Sequence, residues 1–131
     1  MTKTYKTNFR VYYEDTDSGG VVYYANYLKF AERARTETLR NIGINQSTLA
    51  EKEDIIFVVR HAEMDLLKPA KLDDLLEIKT HVDKISGASI MMHQQIYCSD
   101  NKLVDVKVKI ACVNKAFKPT RLPDTIKDKF L

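Results

Sequence analysis

The sequence predicts an α+β domain in which an antiparallel β-sheet wraps around one long central helix. Three observations carry that expectation. One stretch, from Tyr24 or Asn26 to Ile42, has helical periodicity and a glycine, Gly43, just beyond it. The remaining regular segments alternate apolar and polar residues at every second position, the mark of strands with one covered face. The chain has 131 residues, of which 44% are hydrophobic and 30% charged, enough for one core and no more, so residues 1–131 read as a single domain.

The first run, Tyr5–Tyr13, mixes β-branched and aromatic residues and reads as a strand. It stops at Glu14-Asp15-Thr16-Asp17-Ser18-Gly19-Gly20, a cluster of turn formers. In the helix that follows, Tyr27, Phe30, Ala31, Ala34, Leu39 and Ile42 fall loosely on one face, with Lys29, Glu32, Arg33 and Arg40 outside it. Gln46–Asp54 is polar and reads as a connection. Beyond it, Ile56–Leu66 places its even positions in one apolar phase, broken by Arg60, while His61, Glu63 and Asp65 take the other. Leu76, Ile78, Thr80 and Val82 alternate with Glu77, Lys79, His81 and Asp83, and Val104–Cys112 alternates with Asp105, Lys107 and Lys109. Ile90–Cys98 is β-rich and less regular, with Ser99–Lys102 as a hairpin turn to the last strand. A short helix is expected after Pro123.

Composition excludes several classes. Disorder and collagen-like repeats do not fit these proportions, and no low-complexity segment or internal repeat is present. The longest apolar run, Ile55–Val59, is far below the twenty or so residues of a membrane-spanning helix. The start, MTKTYKTNFR, has no apolar stretch behind its lysines and does not read as a secretory signal. Net charge is +3 from 21 basic and 18 acidic side chains spread along the chain, which gives no reason to expect a nucleic-acid partner. Cys98 and Cys112 are too few for a disulfide framework, and a reducing cytoplasm is expected. Both sit in inward, apolar phases, so a core role outweighs a nucleophilic one. His61, His81 and His93 lie on separate strands without close ligand spacing, so no metal is expected. There is no GxSxG elbow.

The Asp-rich turn is the most informative segment. Asp15 and Asp17 precede Gly19-Gly20, and the helix begins a few residues later. A helix start offers unpaired N–H groups and the positive end of a dipole, which suits a developing oxyanion. Glycine, here Gly20, allows a reacting carbonyl to approach the backbone closely. A carboxylate beside such a site can act as nucleophile or as general base for water. The structural alternative is that Asp15, Asp17 and Ser18 are only turn and capping residues.

Tyr13-Glu14-Asp15-Thr16-Asp17-Ser18-Gly19-Gly20-Val21-Val22-Tyr23-Tyr24-Ala25-Asn26-Tyr27, followed by Phe30-Ala31-Glu32-Arg33-Ala34-Arg35, resembles the signature of hotdog-fold acyl-CoA thioesterases. Within these it is similar to the 4-hydroxybenzoyl-CoA thioesterase family, closest to the branch associated with the bacterial Tol-Pal system. The likeness runs from about Phe9 to Pro123 and includes Phe57-Val58-Val59-Arg60 and Pro69–Asp74. The resemblance implies hydrolysis of an acyl-CoA thioester with no metal or redox cofactor, coenzyme A being part of the substrate. It implies Asp17 as the catalytic carboxylate and backbone amides around Val22, Tyr23 and Tyr24 as the carbonyl-polarising group. It also implies a homodimer with two sites at the subunit interface, paired into a tetramer.

One position departs from the pattern. The Tol-Pal branch usually carries histidine where this chain has Tyr24, and tyrosine there looks more like the 4-hydroxybenzoyl-CoA enzymes. A neutral phenol does not shuttle protons near pH 7 as imidazole does, so the chemistry falls on Asp17. Arg60 interrupts the apolar phase of its strand and is expected either to pair with an acid or to reach a site. Lys84, Ser86 and Ser89, around the turn at Gly87, match the place from which similar enzymes contact coenzyme A, and Lys118 and Arg121 are further candidates for its phosphates. Two rival readings stay open: hydrolysis of acyl groups from acyl carrier protein, and a non-catalytic module that links lipid synthesis to the Tol-Pal machinery of the envelope.

Overall fold

A computed structural model describes residues Lys3–Phe130. Strand β1 (Thr4–Arg10) is followed by helix α1 (Asn26–Asn41), helix α2 (Gln46–Glu53) and strands β2 (Ile56–Leu66), β3 (Leu75–Ser86), β4 (Ser89–Cys98) and β5 (Asn101–Val113). A short helix α3 (Asp124–Lys127) closes the chain. All strand pairings are antiparallel, in the spatial order β1-β3-β4-β5-β2.

The alternation seen in the sequence supplies the inner face. Leu76, Ile78 and Val82 of β3, Ile90, Met92 and Ile96 of β4, and Val104, Val106, Val108, Ile110 and Cys112 of β5 are buried. Helix α1 lies across them with Tyr27, Phe30, Ala31, Ala34, Arg35, Thr38 and Leu39 buried. Phe30 is seated against Phe9 of β1, ring centroids 5.9 Å apart. Two polar residues of the sheet share this core with Arg35 and Thr38 of the helix: Gln94 takes the inward phase of β4 and Thr80 that of β3, both fully buried. Ile42, expected on the apolar stripe, packs only partly against the core because the helix has ended and Gly43 turns away at φ +86°. Cys112 is fully buried, and burial pushes its thiol up to about 11; Cys98 is half-buried with its thiol also raised.

Three elements differ from the sequence expectation. Strand β1 ends at Arg10 rather than Tyr13: Val11 leaves the ladder to bond with Asp73 and Asp74, and Tyr13–Asp15 forms a 3₁₀ turn. The polar stretch after Ile44 contains helix α2, whose Asn45 side chain caps the Thr48 amide at 3.0 Å. Its only buried residue is Leu49, so it carries no periodic signal.

The third difference concerns Arg60. Strand β2 pairs with β5 in a register that slips between Val59 and His61, so Arg60 sits on a bulge. Phe57 and Val59 stand opposite the inward Cys112 and Ile110, whereas after the slip Ala62, Met64 and Leu66 stand opposite the inward Val108, Val106 and Val104. The inward phase therefore changes from odd to even positions within the strand, and Arg60 is exposed rather than in an apolar phase. No ion pair holds it among the described residues.

On the outer face, Asp105 accepts from His93 Nε2 at 2.8 Å and lies 2.7 Å from Lys102 Nζ. Burial alone pushes the Asp105 carboxyl up; the hydrogen bonds and charges of Lys102 and His93 outweigh it and hold the group below the ordinary carboxylate range. A lowered folded-state value adds stability that is complete above the unfolded value near 4 and is lost as pH falls through the folded one. In urea melts, Asp105→Asn is expected to be less stable than wild type at pH 7, with the gap closing below about pH 4. A gap that stayed constant down to pH 3 would contradict this assignment.

Candidate active site

The turn between β1 and α1 separates its two aspartates into different roles. Asp15 is consumed by structure: its Oδ2 accepts the Tyr12 amide at 2.8 Å, and its carbonyl accepts the Tyr23 amide and Asn26 Nδ2, both at 2.9 Å. Asp17 is held differently. Its amide donates to the Val21 carbonyl at 2.9 Å, closing a tight loop through Gly20, whose amide returns to the Asp17 carbonyl at 3.1 Å. The Asp17 side chain then takes one hydrogen bond, from the Gly19 amide to Oδ1 at 2.8 Å. Its second oxygen has no partner among the described residues, and Asp17 lines the adjoining cleft.

The two glycines serve this loop for separate reasons. A Cβ on Gly19 would lie 3.1 Å from Asp17 Oδ1, inside normal contact distance. Gly20 has open space around it and is needed for its φ of +79°.

The start of α1 is set by two carbonyls outside the helix. The Val22 amide donates to Ala70 O and the Tyr23 amide to Asp15 O, each at 2.9 Å. Of the amides around Val22 to Tyr24 that the sequence pointed to, these two are thereby engaged. The amides of Tyr24 and Ala25, ahead of the first helical residue Asn26, have no protein acceptor among the described residues. They carry the positive end of a sixteen-residue helix.

Asp17 and Tyr24 line one cleft of about 320 Å³ together with Val21, Tyr27 and the Leu66–Pro69 segment that follows β2. Sequence reasoning did not single out Tyr27 or this segment. Tyr27 is buried, and its Oη accepts the Ala70 amide at 2.9 Å. Burial raises its pKa, opposed by the Ala70 hydrogen bond and reinforced by Asp74, so the phenol stays neutral. Tyr27 thus holds the residue whose carbonyl holds Val22. Its place in the long motif and the Pro69-Ala70 pair were visible in the sequence; their contact, 43 positions apart, was not. Tyr24 itself is exposed, its ring tilted against that of Tyr23 with centroids 5.0 Å apart.

The remaining sequence candidates fall elsewhere. Lys84, Ser86 and Ser89 sit on the β3–β4 hairpin, where Ser89 Oγ donates to Ser86 O at 3.1 Å. Arg121 lies beside the same hairpin, because the Leu122 amide donates to Gly87 O at 3.2 Å. Lys118 closes a turn with Asn114 and is exposed. The structure therefore groups the hairpin with Arg121, away from Asp17. The cleft wall at Leu66 pairs with Val104, and the hairpin's Ser89 pairs with Ala111, at the far end of β5. At about 3.3 Å per residue, on the order of 20 Å separates them within one chain. Among the described residues no helix is long and apolar enough to cross a membrane, and no three His, Cys, Asp or Glu side chains converge on a metal-sized site.

A carboxylate beside bare helix-start amides, in a cleft with apolar walls, is an arrangement for attack on a carbonyl whose oxygen gains charge. Removing the Tyr27 hydroxyl should leave the Ala70 amide buried and unpaired. Tyr27→Phe is expected to lose about 1–3 kcal/mol in denaturant unfolding, and an unchanged midpoint would show that the tie carries no load.

Comparison with known proteins agrees with this chemistry. Residues 19–104 match the thioesterase superfamily, beginning just after Asp17. The acyl-CoA thioesterase YbgC of Haemophilus influenzae is 47% identical over 122 residues, covering 92% of this chain and 90% of the relative. The acyl-CoA thioesterase YbgC of Helicobacter pylori is 39% identical over 129 residues, 91% of this chain and 94% of its own. The crystal structure of a probable thioesterase from Bartonella henselae superposes with a TM-score of 0.88 at 46% identity, covering 92% of this chain and all of that one. The resemblance carried by Tyr13–Arg35 and the hotdog arrangement of sheet and helix are both borne out.

Proposed function

We propose that this chain, which belongs to the thioesterase superfamily, hydrolyses acyl-CoA thioesters with Asp17 as its catalytic carboxylate. The observation that carries the reading is the pairing, in one cleft, of a carboxylate pinned through one oxygen by the Gly19 amide with Tyr24, whose amide has no protein acceptor among the described residues.

In the proposed reaction the thioester carbonyl oxygen accepts from the Tyr24 amide, which stabilises the charge that grows there as the carbon becomes tetrahedral. Asp17 then acts by one of two routes. Attack by its free oxygen forms a mixed anhydride and expels the thiolate of coenzyme A, and water afterwards cleaves the anhydride. Alternatively, Asp17 takes a proton from a water that attacks the same carbon, and the tetrahedral intermediate collapses to acid and thiol. Neither route calls for a metal or a redox cofactor. Tyr24 contributes its amide, and its exposed ring lies at the mouth of the cleft, where it can cover the substrate.

The distance between Asp17 and the basic hairpin favours a site shared by two copies of the chain. Lys84, Ser86, Ser89, Lys118 and Arg121 of a second copy would hold the phosphates of coenzyme A while Asp17 of the first meets the thioester. Strand β2, an edge strand whose residues are largely exposed, offers the unpaired backbone that a second copy can join. The same basic groups suit the phosphopantetheine of an acyl carrier protein, which saturation by each thioester would distinguish. A module kept only for docking in the envelope has no use for a pinned carboxylate.

Asp17→Asn should abolish release of free thiol from a panel of acyl-CoAs while retaining acyl-CoA binding; near-normal turnover would sink the assignment. In a single turnover in ¹⁸O-labelled water, label found in Asp17 identifies the anhydride route with water attacking the aspartyl carbonyl, since attack on the acyl carbon puts the label in the released acid by either route. Gly19→Ala keeps the carboxylate but displaces Oδ1 by a few tenths of an ångström. Its kcat is expected to fall about tenfold with little change in melting temperature, and an unaltered kcat would mean that the Gly19 contact does not position Asp17.

A further inference from the structure

The Asp17 loop is a small hairpin whose two arms are held by different means. Thr16 and Val22 face each other across it in an isolated antiparallel bridge, and the Asp17 amide donates to Val21 O at 2.9 Å. The returning arm is tied to a distant loop, because Val21 bridges Lys71 and the Val22 amide donates to Ala70 O. The outgoing arm carries Asp17. Before it, Asp15 bonds back to Tyr12 through its amide and through its carboxylate, which folds the 3₁₀ turn on itself. The tie from this arm to the helix side passes through one atom, Asp15 O, which accepts both the Tyr23 amide and Asn26 Nδ2 at 2.9 Å.

Asn26 is the first residue of α1 and is half-buried. Its acceptor is a carbonyl, so the carboxamide has to present its nitrogen there. The bond joins positions eleven apart in sequence. Among the described residues it is the one hydrogen bond from α1 to the arm that carries Asp17. Asparagine at a helix start ordinarily serves as N-cap and accepts an amide of the first turn. Here the N-cap position belongs to Ala25, which has no side-chain cap, and Asn26 turns its donor away from the helix. Asp17 follows Asp15 by two residues and Tyr24 precedes Asn26 by two. The Asn26 bond therefore gives a short path between the carboxylate and the bare Tyr24 amide.

We propose that Asn26 is a positioning residue for thioester hydrolysis: by holding Asp15 O it fixes the Asp17 carboxylate relative to the Tyr24 amide. This rests on the thioesterase reading above and adds to it a residue that acts through Asp15. Two donors converging on one oxygen occupy both of its lone pairs and restrain the peptide plane. With the Tyr23 amide alone, Asp15 O stays paired, so little stability is lost. The plane can then pivot about that single bond and carry Asp17 with it. A misplacement of about 1 Å costs on the order of a hundredfold in rate.

The test replaces Asn26 by leucine, which keeps the branched shape and removes the donor, and separately by alanine. In acyl-CoA hydrolysis Asn26→Leu and Asn26→Ala are expected to lose about tenfold to a hundredfold in kcat, with KM within about twofold of wild type. A kcat within about twofold of wild type overturns the proposal. So does a loss carried by KM alone, which would make Asn26 a substrate contact. Failure of both variants to fold also overturns it, since a structural role would then account for the residue. Amide hydrogen exchange supplies a readout without turnover. At Tyr23 and Asp17 it is expected to quicken about tenfold in the variants, while Ala31–Thr38 of α1 exchange as in wild type. Unchanged rates at Tyr23 and Asp17, or a uniform rise along α1, count against the positioning role and overturn it. If the wild type hydrolyses no thioester, or Asp17→Asn keeps its turnover, the thioesterase reading fails instead. The exchange rates then decide by themselves whether Asn26 holds the turn.

Discussion

Where helix α1 begins governs what the Asp17 cleft can do, and two carbonyls that lie outside the helix set that point. Ala70 O takes the Val22 amide and Asp15 O takes the Tyr23 amide. Each bond removes one donor from the orphan set that every helix start carries, and together they leave the next amides bare, with Tyr24 lining the cleft. Were the tie made one residue later, the free donor would move off the carboxylate. The tie in turn depends on Tyr27, the first inward residue of α1, because its hydroxyl fixes the Ala70 amide at 2.9 Å. One helix therefore positions its own N-terminus through a loop that follows β2.

The same helix explains why the site lies along one side of the sheet. Phe30, Ala31 and Ala34 press α1 toward β1, where Phe9 meets Phe30, and the helix cannot also cover β2. A fully covered sheet would bury more apolar area, at about 25 cal/mol per Å². The open seam gives up that stabilisation and leaves the Asp17 cleft at the start of the helix and a separate cavity beside Arg35. Within the core, Gln94 and Thr80 sit where apolar residues would pack more cheaply, yet Gln94 satisfies both ends of its amide. A buried amide with every group paired is tolerated in the core.

What the sequence disclosed follows from how local each signal is. The strands β3 and β5 and the helix α1 were legible because period-two and helical alternation are properties of neighbouring residues. The bulge at Arg60 was not, since a register slip is a relation between β2 and β5, and the apolar letters on both sides of it look continuous. Helix α2 was missed because one buried leucine makes no period. At the site, Asp17, Gly19 and Gly20 announced themselves as a contiguous turn. The division of labour between Asp15 and Asp17, and the roles of Tyr27 and Ala70, depend on contacts between distant parts of the chain. Arg35 was quoted in the motif but passed unnoticed as a buried charge, because an arginine on a helix usually points to water.

Asp17 and the Gly87 hairpin lie on the order of 20 Å apart within one chain, and a substrate held at both would have to span that distance. An acyl-CoA is a long molecule with an apolar acyl end, a reacting thioester and an anionic nucleotide, and this fold offers features for each at different places. The Asp17 cleft lies at the start of α1, whereas the cations of the hairpin lie at the opposite end of β5. Two copies joined antiparallel along β2 would bring the end of β2 at Leu66 in one copy near its start at Ile56 in the other. The exposed inner edge of β2 is consistent with that use, since the phase change at Arg60 turns the charged bulge outward and leaves Phe57 and Val59 directed along the seam. The bulge therefore decides which side chains of this edge strand face the seam and which face outward.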